Sequence, residues 1–265
     1  MIACGLDLGS LTAQAVLVDI AAGVVVAAHS QRARPSPMDS AAQLLAAVLG
    51  KAGLDQAAVG RVVATGYGRQ RLVEQGVAQD HVSEISCHGA GAGFMLPGAR
   101  TVIDIGGQDA KVIRLGPGGG LEDFVMNDKC ASGTGRFLEV MARCLGVELE
   151  ALGPLALGSA DAVPLSARCS IFCETEVLHH LQRGETPASL AAGVCRAMAQ
   201  RVAALVRRLD PIPPLTMTGG VAKNEAVRRE LERLLGAKLT ALDMDPQLMG
   251  ALGAALHAGG MAMGG

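Results

Sequence analysis

Short apolar runs, each bounded by glycine or polar residues, open the chain and predict β-strands. Such runs cover residues 2–8, 13–20, 24–29 and 61–65. Apolar residues at helical spacing predict helices over residues 38–51, 69–74 and 86–96. We expect Asp39 or Ser40 to cap the first of these helices. The mixture of strands and helices predicts an α/β fold.

The same order of elements begins again near residue 101 and indicates a duplicated half-domain. Strands are predicted over 101–105, 111–115, 121–126 and 215–218, and helices over 135–145, 172–182, 188–209, 224–235 and 249–258. Residues 5–10 (GLDLGS) and 102–107 (VIDIGG) share an apolar strand that carries one aspartate and ends in a glycine turn. Two such halves would face each other across a cleft with an aspartate and a glycine turn on each wall.

The composition excludes several functional classes. Half of the 265 residues are apolar but only 2% are aromatic, so alanine, valine, leucine and methionine must pack the core. The formal net charge of −2, with both signs mixed, lacks the basic field of a nucleic-acid-binding protein. No apolar run reaches the ~18–20 uncharged residues of a membrane span. The first residues read as a buried strand without a basic leader, so we expect a cytoplasmic protein with reduced cysteines.

Asp7 and Asp104 stand just before the two glycine turns and are candidate catalytic groups. Backbone N–H groups in such turns can surround a polyphosphate, because glycine has no Cβ to block the approach. Buried carboxylates at a phosphate site suit Mg²⁺ binding or the orientation of an attacking water. Each aspartate could instead cap its own turn, but a third turn at Gly219 and Gly220 favours the phosphate interpretation. P-loop and dinucleotide-binding fingerprints are absent from the sequence.

Two cysteines lie in segments that suggest redox chemistry. Cys130 stands beside the glycine-rich segment 133–135, and Cys169 opens another predicted helix. Helix N-termini favour an anionic thiolate. From spacing alone, reduced core thiols are the simpler interpretation. Cys173, one helical turn from Cys169, is a packed neighbour or an alternative ligand, and apolar contexts predict core positions for Cys4, Cys87, Cys144 and Cys195.

The order of these motifs resembles that of the actin, Hsp70 and sugar-kinase ATPases. Residues 7–10, 104–109 and 219–222 are similar to their phosphate-1, phosphate-2 and adenosine motifs. Within that superfamily the chain resembles the BadF/BadG/BcrA/BcrD type, which includes activators of 2-hydroxyacyl-CoA dehydratases and ATP-binding subunits of benzoyl-CoA reductase. The resemblance covers nearly the whole chain, and its specific segments are 64–69, 127–131, 133–138, Cys169, Phe172, 174–177 and 250–255.

This resemblance implies two duplicated actin-like (ribonuclease H-like) domains with ATP in the cleft between them. The first domain would comprise residues 1–97 with the C-terminal helix 246–265, and the second residues 98–245. The resemblance also implies a homodimer with one [4Fe–4S] cluster, bridged across the twofold axis by Cys130 and Cys169 of each subunit. A cubane requires four thiolates, and a twofold interface supplies the same pair twice.

The function that the resemblance implies is ATP-dependent electron transfer at low potential. Electrons would pass from ferredoxin or flavodoxin through the cluster to an iron–sulfur partner such as a 2-hydroxyacyl-CoA dehydratase. ATP would act by shifting the angle between the domains. A benzoyl-CoA reductase or a double-cubane cluster protein is an alternative acceptor. From other classes, a cluster-free small-molecule kinase with Asp104 as its base, or an ATP-sensing scaffold, stays open.

The candidate catalytic residues are Asp7, Asp104 and Gln108. The candidate contacts of ATP and Mg²⁺ are Gly9, Ser10, Leu11, Thr12, Gln14, Gly106, Gly107, Gly133, Thr134, Gly135, Arg136, Gly219, Gly220 and Lys223. The chain departs from the family at Gln14, where a lysine is usual, and this puts the affinity for ATP or the rate of its hydrolysis in doubt. We expect Lys111, on the strand after the second turn, to be solvated.

Overall fold

The computed structural model describes residues 1–127, 130–166 and 170–261. In this part of the chain the strands are β1 (Ile2–Leu8), β2 (Thr12–Asp19), β3 (Val24–Arg32), β4 (Val59–Gly66), β5 (Asp80–His81), β6 (Thr101–Ile105), β7 (Ala110–Leu115), β8 (Leu121–Asn127), β9 (Leu215–Thr218) and β10 (Leu239–Thr240). The α-helices are α1 (Pro37–Ala52), α2 (Arg69–Glu74), α3 (Glu84–Met95), α4 (Gly135–Cys144), α5 (Leu149–Leu157), α6 (Ser170–Gln182), α7 (Pro187–Arg207), α8 (Glu225–Leu235) and α9 (Met249–Ala258). Short 3₁₀ helices lie at Gln56–Ala58, Ala131–Gly133, Gly220–Lys223 and Pro246–Leu248.

The chain forms two compact units. Unit 1 comprises residues 1–102 and 113–124 and the segment from residue 241. Unit 2 comprises residues 103–112 and 125–240.

Unit 1 is built on a mixed sheet with the strand order β3-β2-β1-β4-β5. β1 runs antiparallel to β2, so Asp7 lies opposite Gln14, and parallel to β4, so Asp7 also lies beside Thr65. Both faces of β1 are covered, as its continuous apolar run predicts. One face packs in a core that includes Leu44 of α1, and the neighbouring strand β2 packs its other face in a core with Leu252 of α9.

Small residues let α9 lie directly against the sheet and against α3. A Cβ added to Gly5 of β1 would overlap the carbonyl oxygen of Ala251, and one added to Gly253 would overlap that of Cys87. These positions hold a hydrogen atom but not a methyl group. The many alanine and glycine residues therefore allow the backbone of α9 to pack closely on that of its neighbours.

Helix α1 begins earlier than predicted. Ser36 is its cap, because the Ser36 Oγ accepts a hydrogen bond from the N–H of Asp39 at 3.2 Å. Pro37 follows as the first helical residue, where its fixed φ suits the helix and its missing N–H costs nothing. The prediction of Asp39 or Ser40 as the cap is therefore wrong.

The second sheet has the strand order β10-β9-β6-β7-β8. The core of unit 2 joins apolar side chains such as Phe137, Met198 and Val227, from α4, α7 and α8. Helix α5 was not predicted, because Gly153 and Pro154 interrupt its helical signal. Strands β5 and β10 are two residues each and are too short to show a periodicity.

Among the described helices, α7 alone is long and apolar enough to cross a membrane by length and composition. It has 21 residues and is capped by Thr186. Of its most apolar 18-residue window, 72% is buried inside the protein. Packing in the core of unit 2 accounts for its apolar sequence.

Candidate functional site

The first glycine turn, residues 9–11, joins β1 to β2 in unit 1. Asp7 of β1 is buried, and Gly66 at the end of the neighbouring strand lies against it. Gly66 has φ 80°, and a Cβ there would lie 2.6 Å from both Asp7 Oδ1 and the carbonyl oxygen of Leu8. Only glycine fits this position. The other predicted contacts of this half lie on the turn or on β2: Gly9, Ser10, Leu11, Thr12 and Gln14.

Gln14 is held by neutral hydrogen bonds. Its Nε2 donates to Thr12 Oγ1 at 2.8 Å and to Ser30 Oγ at 3.4 Å. Thr12 Oγ1 also accepts a hydrogen bond from Gln247 Nε2 at 2.8 Å. The side chain of Gln14 is buried. Its neutral amide is therefore matched by hydroxyl groups, which can accept its hydrogen bonds without carrying a charge.

His88 of α3 approaches Asp7 and was not predicted as a site residue. Its Nε2 lies 3.9 Å from Asp7 Oδ2 and 4.0 Å from Glu84 Oε1. A Cβ on Gly250 of α9 would overlap Asp7 Oδ2 and lie 2.9 Å from His88 Nε2, so glycine at 250 leaves room for both groups. The spacing of four residues between Glu84 and His88 was a readable signal of one helix face. Their neighbourhood with Asp7 depends on how α3 packs on β1 and β4.

The second glycine turn, residues 106–109, follows β6. Asp104 is buried, and its Oδ1 accepts a hydrogen bond from Thr218 Oγ1 of β9 at 3.0 Å. Gly219 has φ 83°, and a Cβ there would lie 2.8 Å from Asp104 Oδ1 and overlap the carbonyl oxygen of Ile105. The second and third predicted glycine turns therefore meet at Asp104 within unit 2.

Lys111 is buried at 2% exposure, so the prediction that it is solvated is wrong. Its Nζ lies 2.6 Å from Asp109 Oδ1 and 3.4 Å from Asp104 Oδ2. The two carboxylates are themselves buried, and buried charges require a partner of opposite sign. Asp109 and Lys111 are two residues apart, which places them on the same face of extended backbone. That spacing was visible in the sequence, whereas the burial of the two residues was not.

A glycine-rich segment packs onto the second turn through its backbone. The N–H of Gly135 donates to the carbonyl oxygen of Gly106 at 2.8 Å, and the N–H of Arg136 donates to that of Gly107 at 2.9 Å. The guanidinium of Arg136 pairs with Glu139 at 3.0 Å. The remaining predicted residues of unit 2 lie on the second turn, on this segment or on the 3₁₀ helix after Gly219: Gln108, Gly133, Thr134, Gly220 and Lys223.

Cys130 lies three residues before the glycine-rich segment 133–135, and hydrogen-bonding groups surround its sulfur. Sγ lies 3.0 Å from Ser132 Oγ and accepts a hydrogen bond from Arg201 Nη2 at 3.6 Å. Asn127 Nδ2 donates to the carbonyl oxygen of Cys130 at 3.0 Å. The hydrogen bond from Ser132, together with the nearby charge of Arg201, lowers the pKa of the thiol despite an opposing effect of burial. The share of thiolate, the form that binds metal, is therefore larger than for an ordinary cysteine.

Other described cysteines behave as core residues. Burial raises the pKa of four thiols to about 12: Cys4, Cys87, Cys173 and Cys195. Their complete or near-complete burial confirms the core positions predicted for Cys4, Cys87 and Cys195, and Cys173 is buried as well. Cys144 is partly exposed, and burial still raises its pKa. Cys169, like Asp128 and Lys129, lies outside the described residues, so its role stays a prediction.

The fold and the paired glycine turns define an α/β protein of the actin-like ATPase and sugar-kinase class. A ROK-family glucokinase from Streptomyces griseus shares the fold over 97% of this chain and 99% of its own, with a TM-score of 0.59 and 16% identity. That likeness concerns the fold alone, and it agrees with the predicted fold class.

The chain belongs to the BadF/BadG/BcrA/BcrD ATPase family, whose model matches residues 4–258. The resemblance stated from the motifs is thereby confirmed.

Three proteins are similar to this chain over nearly its whole length. The structure of component A of the (R)-2-hydroxyglutaryl-CoA dehydratase of Acidaminococcus fermentans matches with a TM-score of 0.93 and 39% identity, over 99% of both chains. The activator of the 2-hydroxyisocaproyl-CoA dehydratase from Clostridium difficile, solved with bound ADPNP, matches with a TM-score of 0.92 and 39% identity, over 99% of this chain and 96% of its own. A subunit of the benzoyl-CoA reductase of Thauera aromatica is 30% identical, over 96% of this chain and 92% of its own.

Proposed function

We propose that this protein is an ATP-driven electron-transfer component that activates a 2-hydroxyacyl-CoA dehydratase. The observation that carries the proposal is the short connection between Cys130 and the second glycine turn, which consists of five residues of chain and a backbone hydrogen bond. Five residues after the cysteine, the N–H of Gly135 is already bonded to Gly106 of that turn. A change at the turn is thus transmitted to the backbone that carries the thiol. Similarity to two dehydratase activators over nearly the whole chain supports the same assignment.

ATP is the proposed nucleotide, because the chain belongs to an ATPase family and one relative was solved with ADPNP. We assign its phosphates to the turn after Asp7 and the turn after Asp104. Backbone N–H groups of glycine turns suit phosphate oxygens. The two buried aspartates suit Mg²⁺ or an attacking water. Gln108 is exposed at the tip of the second turn, where its amide can orient such a water.

The surroundings of Cys130 fit an iron–sulfur cluster. A ligand thiol has to lose its proton and keep some access to the surface, and Cys130 is partly exposed with a lowered pKa. We propose that Cys130 and Cys169 of two identical subunits hold one [4Fe–4S] cluster, since a cubane takes four thiolates. When bound, the cluster would supply a one-electron carrier at low potential. Ser132 and Asn127 orient the Cys130 side chain and backbone.

ATP is proposed to act on a conformational equilibrium. A ligand shifts such an equilibrium only by its difference in affinity for the two states. Here the difference would arise at Gly106 and Gly107, whose carbonyl groups hold the start of α4. Movement of this turn would re-orient α4 and the segment that begins with Cys130.

Similarity to dehydratase activators supports the class of the proposed acceptor. We propose a cytoplasmic homodimer that receives electrons from ferredoxin or flavodoxin and delivers them to an iron–sulfur dehydratase. The similarity to the benzoyl-CoA reductase component of Thauera aromatica favours a second acceptor, an aromatic-ring reductase. Lower identity to that component than to the activators, 30% against 39%, favours the dehydratase.

Iron analysis after purification without oxygen tests the proposal. We would measure iron, sulfide and the visible spectrum for the wild type, Cys130→Ala and the matched control Cys144→Ala, a partly exposed thiol of the same unit. About four irons per dimer are expected in the wild type and the control, and none in Cys130→Ala. An iron-free wild-type protein that still hydrolyses ATP would contradict electron transfer and favour a kinase or an ATP-sensing scaffold.

The acceptor is tested separately with the iron-loaded protein. Reduced protein and ATP are mixed with a 2-hydroxyacyl-CoA dehydratase or a benzoyl-CoA reductase core, and dehydration or ring reduction is followed. We expect ATP-dependent activation of the dehydratase. Activation of the ring reductase alone would replace the proposed partner and keep the electron-transfer mechanism.

A further inference from the structure

Arg201 of α7 reaches Cys130 from a position 71 residues away in the chain. Its Nη2 donates to Cys130 Sγ at 3.6 Å, and its Nε donates to Ser132 Oγ at 3.1 Å. Ser132 Oγ in turn lies 3.0 Å from Cys130 Sγ. The three side chains thus close a triangle in which one guanidinium holds both the sulfur and the hydroxyl beside it.

Packing fixes the Ser132 corner of this triangle, and hydrogen bonds hold the exposed side chain of Arg201 against it. Ser132 is buried, which limits the orientations of its hydroxyl. A Cβ added to Gly133 would lie 3.7 Å from Arg201 Cβ and 3.6 Å from Asn127 Nδ2, so the backbone of this residue sits between the two side chains. Arg201 also lines a cavity of about 220 Å³ together with Cys130 and Arg208. Two arginines therefore line the cavity that Cys130 also lines, and Arg201 is the one that bonds the sulfur.

Hydrogen bonds to the sulfurs are one of the means by which a protein sets the potential of an iron–sulfur cluster. A donor or a positive charge near a ligating thiolate stabilises the reduced, more negative state, and this raises the potential. Arginine suits the task because it stays protonated and offers several N–H groups in a rigid fork. Residues that orient a metal ligand in this way commonly matter nearly as much as the ligand.

We propose that Arg201 is a positioning residue that, through its bonds to Ser132 and to the sulfur of Cys130, orients this ligand and raises the reduction potential of the cluster. The inference rests on the proposed role of Cys130 as a cluster ligand. Arg201 would contact the cluster ligand Cys130. It would contact neither ATP nor the protein that accepts the electron. Its position on α7, which packs in the core of unit 2, couples the ligand to the longest described helix of that unit.

The experiment compares reduction potentials of the iron-loaded dimer, titrated without oxygen and followed by electron paramagnetic resonance. The variants are Arg201→Gln, Arg201→Lys and Ser132→Ala. Arg208→Gln is the matched control, since it removes the same charge from the same cavity. We expect Arg201→Gln to shift the reduction equilibrium about tenfold toward the oxidised state, which is about 59 mV for a one-electron couple. Arg201→Lys should recover part of the shift, and Arg208→Gln should change the equilibrium less than twofold.

An Arg201→Gln potential equal to that of the wild type would overturn the inference and leave the proposed function intact. An equal shift in Arg201→Gln and Arg208→Gln would also overturn it, because it would indicate a general effect of charge. A wild-type protein without iron would defeat the proposed function, and the inference with it.

A variant that fails to retain iron is tested by the reactivity of its Cys130 thiol. The metal-free folded proteins are treated with iodoacetamide at one fixed pH, and labelling of the Cys130 peptide is followed by mass spectrometry. We expect Arg201→Gln and Ser132→Ala to label several-fold more slowly than the wild type, and Arg208→Gln to label at the wild-type rate. Labelling of Arg201→Gln at the wild-type rate would overturn the inference.

Discussion

Asp7 and Asp104, which precede the first and second glycine turns, have the same backbone surroundings in the two units. The charges of the neighbouring side chains differ. In unit 1, Gly66 ends the strand beside Asp7 with φ 80° and contacts its carboxylate. In unit 2, Gly219 directly follows the strand beside Asp104, has φ 83° and also lies against that carboxylate. Each glycine also crowds the carbonyl oxygen of the residue after the aspartate. The duplication seen in the sequence is therefore repeated in backbone detail.

The two units differ in the charge of one side chain on the strand after each glycine turn, β2 in unit 1 and β7 in unit 2. Gln14 lies seven residues after Asp7, and Lys111 lies seven residues after Asp104. Gln14 bonds the hydroxyl of Thr12 two residues before it, whereas Lys111 bonds the carboxylate of Asp109 two residues before it. The same geometry thus carries a neutral pair in one half and an ion pair in the other. The side chain of Gln14 therefore pairs with a hydroxyl, whereas that of Lys111 pairs with a carboxylate.

The largest expected contrast between the units concerns their thiols. Cys130 of unit 2 has a lowered pKa, and burial raises the pKa of Cys87 of unit 1 to about 12. With the ordinary value at 9.0, the thiolate fraction of Cys130 at about pH 8 should exceed that of Cys87 at least about a thousandfold. Iodoacetamide labelling of metal-free folded protein, followed by mass spectrometry, measures this. Labelling of Cys130 should level off at a lower pH than that of an ordinary thiol, and labelling of Cys87 should still rise with pH well above that point. Similar rates for both thiols in the folded protein would contradict the contrast, and the unfolded chain is the control in which they should react alike.

The ion pair of unit 2 is expected to be needed for folding. Lys111→Met leaves the buried carboxylates of Asp104 and Asp109 without this cation, which should cost about 3–5 kcal/mol of unfolding free energy. Denaturant unfolding followed by circular dichroism measures the loss. Gln14→Met, at the equivalent position of unit 1, is the matched control. An equal loss in both variants would mean that the charge itself contributes nothing special.

The paired glycines should be equally intolerant of a side chain. In Gly66→Ala and Gly219→Ala, backbone strain of about 1–3 kcal/mol adds to overpacking of about 1–3 kcal/mol. Gly53→Ala and Gly236→Ala are controls with φ 64° and 65° and open space around the added Cβ, so only the strain is expected there. Thermal or denaturant unfolding compares the four variants. If the controls lose as much stability as the paired glycines, crowding at the aspartates is irrelevant.

The smallest effect is expected at Gln14. Gln14→Leu removes the two hydrogen bonds to Thr12 and Ser30, each worth about 0.5–1.5 kcal/mol net. Thr12 keeps its bond from Gln247, so a total loss of about 1–2 kcal/mol is expected. Denaturant unfolding gives this value. If Gln14→Leu lowered the free energy of unfolding as much as Lys111→Met, the expected difference between the neutral pair of unit 1 and the ion pair of unit 2 would be wrong.

Much of this architecture could be predicted because strands and long helices have strong local patterns. The strand of residues 2–8 and the helix of residues 69–74 have the predicted bounds. Helix α5 escaped prediction because Pro154 lies inside it, where packing against α7 and α8 overrides the local preference. The prediction that Lys111 is solvated was wrong because alternation along a strand does not show whether both faces of that strand are buried.

The sequence alone determined the family, the paired aspartate–glycine turns and the special segment around Cys130, since each depends on residues that are close neighbours in the chain. Tertiary structure decided the partners that come from afar. His88 at Asp7, Thr218 at Asp104 and Arg201 at Cys130 meet their targets across 81, 114 and 71 residues. Such contacts follow from how helices and strands pack, and side-chain identity along the chain does not record which distant faces meet.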